Sequence, residues 1–148
     1  MKAFLADEVK ITPAILPSEG GAASTDLAGA TLDMEGWDGV LMMVTFGVIT
    51  ANAVTSIKAQ EGTTTTPATD IEGTSQTVAD DSDDDTFYID LLRPTGGKRY
   101  VRVYVDRATQ NAVIASAYYI QYRGRSVPTT HGTGVSGEKH AHAAAGTA

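Results

Sequence analysis

The chain has 148 residues, enough for one self-sufficient domain, with no cysteine, a formal net charge of −7 and a pI near 4.7. The missing cysteines exclude disulfides, thiolate metal sites and a thiol nucleophile. The acidic balance disfavours sequence-independent binding to nucleic acid or to an anionic membrane, and no apolar run reaches the roughly 20 residues that a spanning helix needs.

Short apolar runs separated by Gly, Pro, Thr and Asp clusters predict an all-β fold, an antiparallel β-sandwich or jelly-roll-like body. We expect residues 1–17 to form an N-terminal arm or edge strand, residues 18–124 the sandwich domain, and residues 125–148 an extended C-terminal tail. Pro13 and Pro17 lack backbone donors, so the first segment suits an edge strand or an arm on a neighbouring subunit, and both remain open. Asp7 and Glu8 interrupt the first apolar residues, so no signal-peptide core is expected.

The nearly continuous apolar run of residues 36–49 predicts a central strand covered on both faces. Trp37 stands at its entrance, either as a cap on the core or as a contact anchor at a subunit interface. Residues 54–60 alternate as a further strand. Val54 and Ile57 differ in parity there, which leaves room for a bulge.

Residues 61–85 form the most polar stretch, and we expect Ile71 and Val78 to hold its middle against the body. Five carboxylates lie within the six residues Asp80–Asp85. Oxygen-rich clusters can hold calcium, but the glycine and glutamate that a helix–loop–helix calcium site needs are out of register. The pattern therefore favours a solvated acidic loop.

Two alternating runs, residues 87–92 and 100–105, flank a turn that contains Pro94 and Gly96-Gly97. This arrangement predicts a hairpin, because proline lacks a ladder donor and glycine tolerates positive φ. Its valines should face the core. Its outer face, Tyr100, Arg102 and Tyr104, is the candidate surface for function.

Residues 112–122 predict a long strand, with Ile114, Tyr118, Ile120 and Tyr122 on one face and the small residues Ala115 and Ala117 on the other. Tyr100, Tyr104, Tyr118 and Tyr122 also suggest a sugar-stacking platform, although half-buried strand tyrosines are the commoner arrangement. The tail histidines, His131, His140 and His142, lack the spacing of a zinc site. If the tail is ordered, we expect a neighbouring chain to hold it.

No catalytic triad, nucleophile elbow, phosphate loop or dinucleotide fingerprint is present, so we predict no enzyme activity, catalytic residue, cofactor or metal. Four stretches instead resemble small structural proteins of tailed bacteriophages, of the head decoration or cement type. They are Trp37–Val40, Ile57–Gly62, Phe87–Asp90 and Arg99–Arg102, within a resemblance that spans roughly residues 31–123.

The resemblance implies a β-sandwich and a virion role, and it carries no catalytic residues. The expected function is to bind the outside of a phage capsid and stabilise the shell, after synthesis in the host cytoplasm. The expected partners are the major capsid protein and other copies of the chain, as a homotrimer, without direct nucleic-acid or membrane contact. Interface candidates are Trp37, Arg93, Arg99, Arg102, Tyr104 and Arg123. The alternatives are a head fibre base, a tail-tube or terminator component, or a carbohydrate-binding module.

Overall fold

The structure is a computed structural model that describes residues 4–92 and 97–141, and these form two antiparallel sheets. The all-β prediction is confirmed. The elements are α1 (Leu5–Glu8), β1 (Lys10–Ile15), β2 (Leu27–Ala28), β3 (Leu32–Asp33), β4 (Trp37–Ile49), β5 (Val54–Gly62), β6 (Thr69–Asp70), β7 (Gln76–Val78), β8 (Thr86–Leu92), β9 (Tyr100–Ala108) and β10 (Ala112–Gly124). Sheet A has the strand order β1-β10-β4-β8. Sheet B has the order β2-β9-β5-β6, with β3 also on β9 and β7 also on β5.

The strand order is that of a jelly roll. The short strands β2 and β3 both pair with β9, and β6 and β7 both pair with β5, so each couple acts as one interrupted strand. With the couples merged, eight strands remain, in the order 1-8-3-6 in sheet A and 2-7-4-5 in sheet B. Two interlocked Greek keys give this order. The jelly-roll expectation is therefore confirmed in topology as well as in strand content.

The predicted hairpin is wrong. β8 pairs with β4 in sheet A, whereas β9 pairs with β5 in sheet B, so the chain crosses between sheets at this point. The predicted turn residues 93–96 lie outside the described residues. Alternation specifies which side chains face the core, and it leaves the hydrogen-bonding partner open. The face assignment itself is confirmed, because Val101, Val103 and Val105 are buried.

The core lies between the two sheets and is built from alternate residues of the long strands. β4 lies centrally between β10 and β8, as predicted, and contributes Val40, Met42, Val44 and Phe46, all fully buried. The expectation that β4 is covered on both faces is wrong, because Leu41 and Met43 on its other side keep part of their surface exposed. The apolar residues of β4 therefore supply the core and a second, outward surface.

A bulge in β10 separates Ile114 from the residues that were expected to share its face. Ile114 pairs with Phe46 and Ser116 with Thr45, so the extra residue Ala115 shifts the alternation between them. Ile114 is buried, and beyond the bulge the buried residues are Ala117, Tyr119 and Gln121. Tyr118, Ile120 and Tyr122 lie on the outer face instead.

β5 pairs regularly with β9, and the polar stretch after it is held to the body by two apolar side chains. β5 pairs with β9 without a break, so the bulge allowed for at Val54 is absent and this side chain is simply exposed. Val78 is buried and Ile71 packs on the core, which confirms that they hold this stretch to the body. In the acidic segment, Asp83 accepts a hydrogen bond from the Ile49 backbone N–H at 2.7 Å. Across residues 4–92 and 97–141, no three His, Cys, Asp or Glu side chains gather as a metal ligand set.

The first part of the C-terminal tail folds back on its own chain. The Gly132 backbone N–H donates to Ile11 O at 2.8 Å, and Lys139 Nζ lies 2.8 Å from Asp7 Oδ1. The expectation that an ordered tail needs a neighbouring chain is therefore corrected for residues 129–139. Within the described part of the chain, no helix is long and apolar enough to cross a membrane.

Candidate interface surfaces

The outer face of sheet B carries Arg102 and Tyr104, two of the candidates named from the sequence. Lys58 Nζ lies 5.2 Å and the Arg102 guanidinium carbon 5.4 Å from the centre of the Tyr104 ring. The Tyr104 hydroxyl donates to Asp26 Oδ2 at 3.3 Å. Burial, followed by the Asp26 carboxylate, raises the pKa of Tyr104. Cation–ring contacts at exposed sites contribute roughly 0.5–1 kcal/mol. The Lys58 contact joins β5 to β9, whereas the Arg102 contact lies within β9.

Further polar contacts join the charges of this face to one another. Lys58 Nζ lies 3.1 Å from Asp70 Oδ2 and 3.4 Å from Asp106 Oδ2. Gln60 donates to Asp70 Oδ1 at 2.7 Å and accepts from Arg102 Nε at 2.9 Å. Hydrogen bonds from Gln60 and then Lys58 lower the pKa of Asp70, and the Asp70 hydrogen bond raises the pKa of Lys58. A partner docking here would have to compete with contacts that the chain already makes.

Arg99 is likewise engaged within the chain. Its Nε and terminal nitrogen donate to the two Asp33 carboxylate oxygens at 2.9 and 2.7 Å, and it also pairs with Glu35. This fork-shaped contact lowers the pKa of Asp33 and raises that of Arg99. Arg99 therefore ties β9 to the β3 end of the same sheet.

The other three candidates lie apart from these. Trp37 is half-buried and packs on the core, where its ring lies over Gly124 of the neighbouring strand β10. Arg123 is exposed in a left-handed conformation, with φ of 53°, just before β10 ends. Arg93 lies outside the described residues. The named candidates thus do not form one patch, and their interface roles stay predictions.

The outer face of sheet A is a different kind of surface, because three of its cross-strand rows are mostly apolar or aromatic; the next row, Ser116, Thr45 and Thr86, is polar. The cross-strand register places Pro13, Tyr118, Met43 and Tyr88 in one row across all four strands. Tyr88 is 62% exposed, Leu92 54% and Tyr118 41%. We call this surface the A face; it comprises Ile11, Pro13, Leu41, Met43, Tyr88, Asp90, Leu92, Tyr118, Ile120 and Tyr122.

The charged residue of the A face is held by a tyrosine that crosses β4. The Tyr122 ring lies on Gly39, where an added Cβ would come within 2.2 Å of the ring. The glycine lets the ring lie flat, so the Tyr122 hydroxyl donates to Asp90 Oδ1 at 2.6 Å. Burial and this carboxylate raise the pKa of Tyr122 to about 12. The hydrogen bond satisfies one oxygen of Asp90 and leaves a flat aromatic surface beside it.

The four tyrosines proposed as a sugar platform are divided between opposite faces. Tyr100 and Tyr104 belong to sheet B, and Tyr118 and Tyr122 to sheet A, so a single platform of all four is wrong. Sequence reasoning missed the A face because the β10 bulge moves Tyr118 and Tyr122 to it. One signal was available: Tyr88 and Leu92 are large and apolar at positions that alternate with the buried Ile89.

No family model and no curated protein matches this chain. Among solved structures, a chain of the T13 viral particle of IBDV is similar, with a TM-score of 0.46 and 10% sequence identity. The similarity covers 83% of the present chain and 31% of that chain, so the present chain spans about a third of its length.

Proposed function

We propose that this chain is a structural subunit of a viral particle that binds the outside of a phage capsid through the A face and stabilises the shell. The observation that carries the proposal is the contrast between the two outer faces. The charges of sheet B are paired within the chain, whereas Tyr88, Leu92 and Tyr118 on sheet A are large, apolar and exposed. Contiguous exposed apolar surface on a soluble fold is typical of a contact site.

The size of the A face indicates how it would be used. Four strands about 4.8 Å apart and at most about five residues of roughly 3.3 Å each give a face of roughly 300 Å². A stable isolated complex buries about 800 Å² on each partner. The A face alone would therefore support a weak contact, which becomes strong when many copies bind a repeating lattice. A capsid supplies such a lattice.

Two further features support a capsid partner. The resemblance of Trp37–Val40 and Arg99–Arg102 to head decoration proteins implies the same location, and jelly rolls are common among capsid proteins. The exposed Arg123 is a cation available for an acidic shell surface. Under this proposal the protein works by binding, without catalysis. Self-association as a homotrimer belongs to the same proposal, and we expect it on the particle rather than in dilute solution.

Binding to shells prepared without the protein tests this proposal. Purified chain is added to capsids of the virus that encodes it, and the bound fraction is measured by sedimentation at increasing protein concentration. We expect saturation at a fixed ratio to the major capsid protein. Absence of saturable binding would overturn the proposal.

A matched pair of variants tests the face. Tyr88 on the A face and Val54 on sheet B are both 62% exposed, so Tyr88→Lys and Val54→Lys place the same charge at equal exposure. We expect Tyr88→Lys to weaken binding at least tenfold and Val54→Lys to leave it unchanged. Equal effects of the two variants would contradict the assignment to the A face.

A further inference from the structure

The edge of β1 that does not pair with β10 is covered by a short segment of the C-terminal tail. The Thr129 hydroxyl donates to Val9 O at 2.6 Å, and the Thr129 backbone N–H donates to Asp7 O at 3.1 Å. The Ile11 N–H donates to His131 Nδ1 at 3.1 Å, and Ile11 O accepts from the Gly132 N–H at 2.8 Å. An unpaired strand edge invites pairing with another chain, so this segment occupies the place of an added strand.

One of these contacts depends on the protonation of a side chain. The Ile11 N–H can donate to His131 only while Nδ1 holds a free lone pair, which is the case in one tautomer of the neutral imidazole. When the ring is doubly protonated, both nitrogens are donors and neither accepts. The Nδ1–H would then point at the Ile11 N–H. Histidine is the side chain that ordinarily changes charge between about pH 5 and 8.

The charged groups around His131 already have partners of their own. The charged groups lining the same cavity are Asp7 from α1 and Glu138 and Lys139 from the tail. Asp7 pairs with Lys139 at 2.8 Å, and Glu138 lies 2.8 Å from His140 Nε2. The carboxylates attract an imidazolium, but they offer nothing to the Ile11 N–H in its present position.

Close packing makes the segment sensitive to a small displacement. A Cβ added at Gly132 would lie 3.0 Å from Thr12 Oγ1 and 3.2 Å from Thr12 Cα, so the tail approaches β1 at backbone contact distance. Where this packing keeps the imidazolium from turning, repulsion between its Nδ1–H and the Ile11 N–H displaces the His131 backbone, and the adjacent Gly132 moves with it. The contacts at Ile11 N and Ile11 O should therefore open together.

We propose that His131 is a pH-operated latch that holds the segment Thr129–Gly132 on the edge of β1 at neutral pH and releases it when the imidazole is protonated. Release exposes the N–H and C=O of Ile11, the pair of groups that an incoming strand uses. The latch concerns the β1 edge and stands whether or not the A face binds a capsid.

Amide hydrogen exchange at Ile11 tests the latch in the full-length chain, with rates corrected for the intrinsic effect of pH. We expect the Ile11 protection factor to fall at least tenfold between pH 7.5 and pH 5.5. In His131→Asn, the side-chain oxygen stands in for Nδ1 and does not titrate, so protection should be equal at both pH values. His131→Ala should lack the protection at both. His140→Asn, which removes the neighbouring histidine, should behave as the unaltered chain.

Three results would overturn the proposal. The first is equal Ile11 protection at both pH values in the unaltered chain. The second is retained protection in His131→Ala. The third is a loss of protection at low pH in His131→Asn, since that would assign the effect to Asp7 or Glu138 rather than to the imidazole.

Discussion

At the residue scale, the jelly roll is joined across its core by a few polar side chains with specific partners. The hydroxyl of the buried Tyr119 on sheet A accepts from the Val103 N–H of sheet B at 2.9 Å and donates to Ala30 O at 2.7 Å. Arg107, also buried, donates to three backbone carbonyls, of Gly21, Thr25 and Ala112. Neither role can be predicted from local sequence pattern, because both depend on residues far away along the chain.

Replacing Tyr119 with Phe removes a single hydroxyl, and we expect a large loss of unfolding free energy for so small a change. The change leaves the Val103 N–H and Ala30 O without this partner in the interior, which costs about 1–3 kcal/mol in the free energy of unfolding. Urea denaturation measures the difference. Tyr118→Phe is the control, since Tyr118 is 41% exposed and the change should fall within about 0.5 kcal/mol. Equal effects at the two positions would contradict the bridging role of Tyr119.

Alkaline pH should destabilise the fold through its tyrosines. Burial raises the pKa of Tyr119, and burial together with Asp90 raises that of Tyr122 to about 12. An unfolded tyrosine ionises near pH 10, so above that pH the unfolded chain loses protons that the folded chain retains. The stability that these two tyrosines contribute is thus fully present below about pH 10, and it is lost as pH rises towards 12. Unfolding free energies from pH 8 to 11.5 should show this fall, and Tyr122→Phe should make it shallower. An unchanged slope in Tyr122→Phe would contradict the shift at Tyr122.

At the element scale, alternation predicted the strands, and long-range geometry decided their partners and faces. The valines of β9 and the central place of β4 follow from local pattern, since each needs only a side chain's parity. The prediction of a hairpin of β8 with β9 was wrong because a short connection also suits a crossing between sheets. The prediction for the faces of β10 was wrong because Ala115 is the extra residue of a bulge, and an alanine in a strand does not indicate a bulge.

Deletion of Ala115 tests the bulge. Without the extra residue, regular alternation places Ile114, Ala117 and Tyr119 on one face, so all three still face the core. We therefore expect the deletion to cost less than the roughly 3 kcal/mol in unfolding free energy that a large core disruption costs. Ala115→Ser keeps the residue count at an exposed position and should change stability by less than about 0.5 kcal/mol. A loss of roughly 3 kcal/mol or more on deletion would contradict the assignment of Ala115 as the extra residue.

At the scale of the whole molecule, the two outer faces differ in chemistry. The charged side chains of sheet B have partners within the chain, from Lys58–Asp70 to Arg102–Gln60, whereas sheet A presents an apolar surface. The sequence directed attention to sheet B, because cations and tyrosines alternate visibly along β9. The A face is assembled from β1, β4, β8 and β10, which are distant in the chain, so it emerges only when the jelly roll is closed.

Hydroxyl-radical footprinting of the protein, free and bound to capsids, tests the central claim that the A face is the contact surface. The account predicts that Tyr88 and Tyr118 lose reactivity on the particle, while Val54 on the outer face of sheet B keeps its reactivity. Protection of sheet B with Tyr88 and Tyr118 still reactive would contradict it.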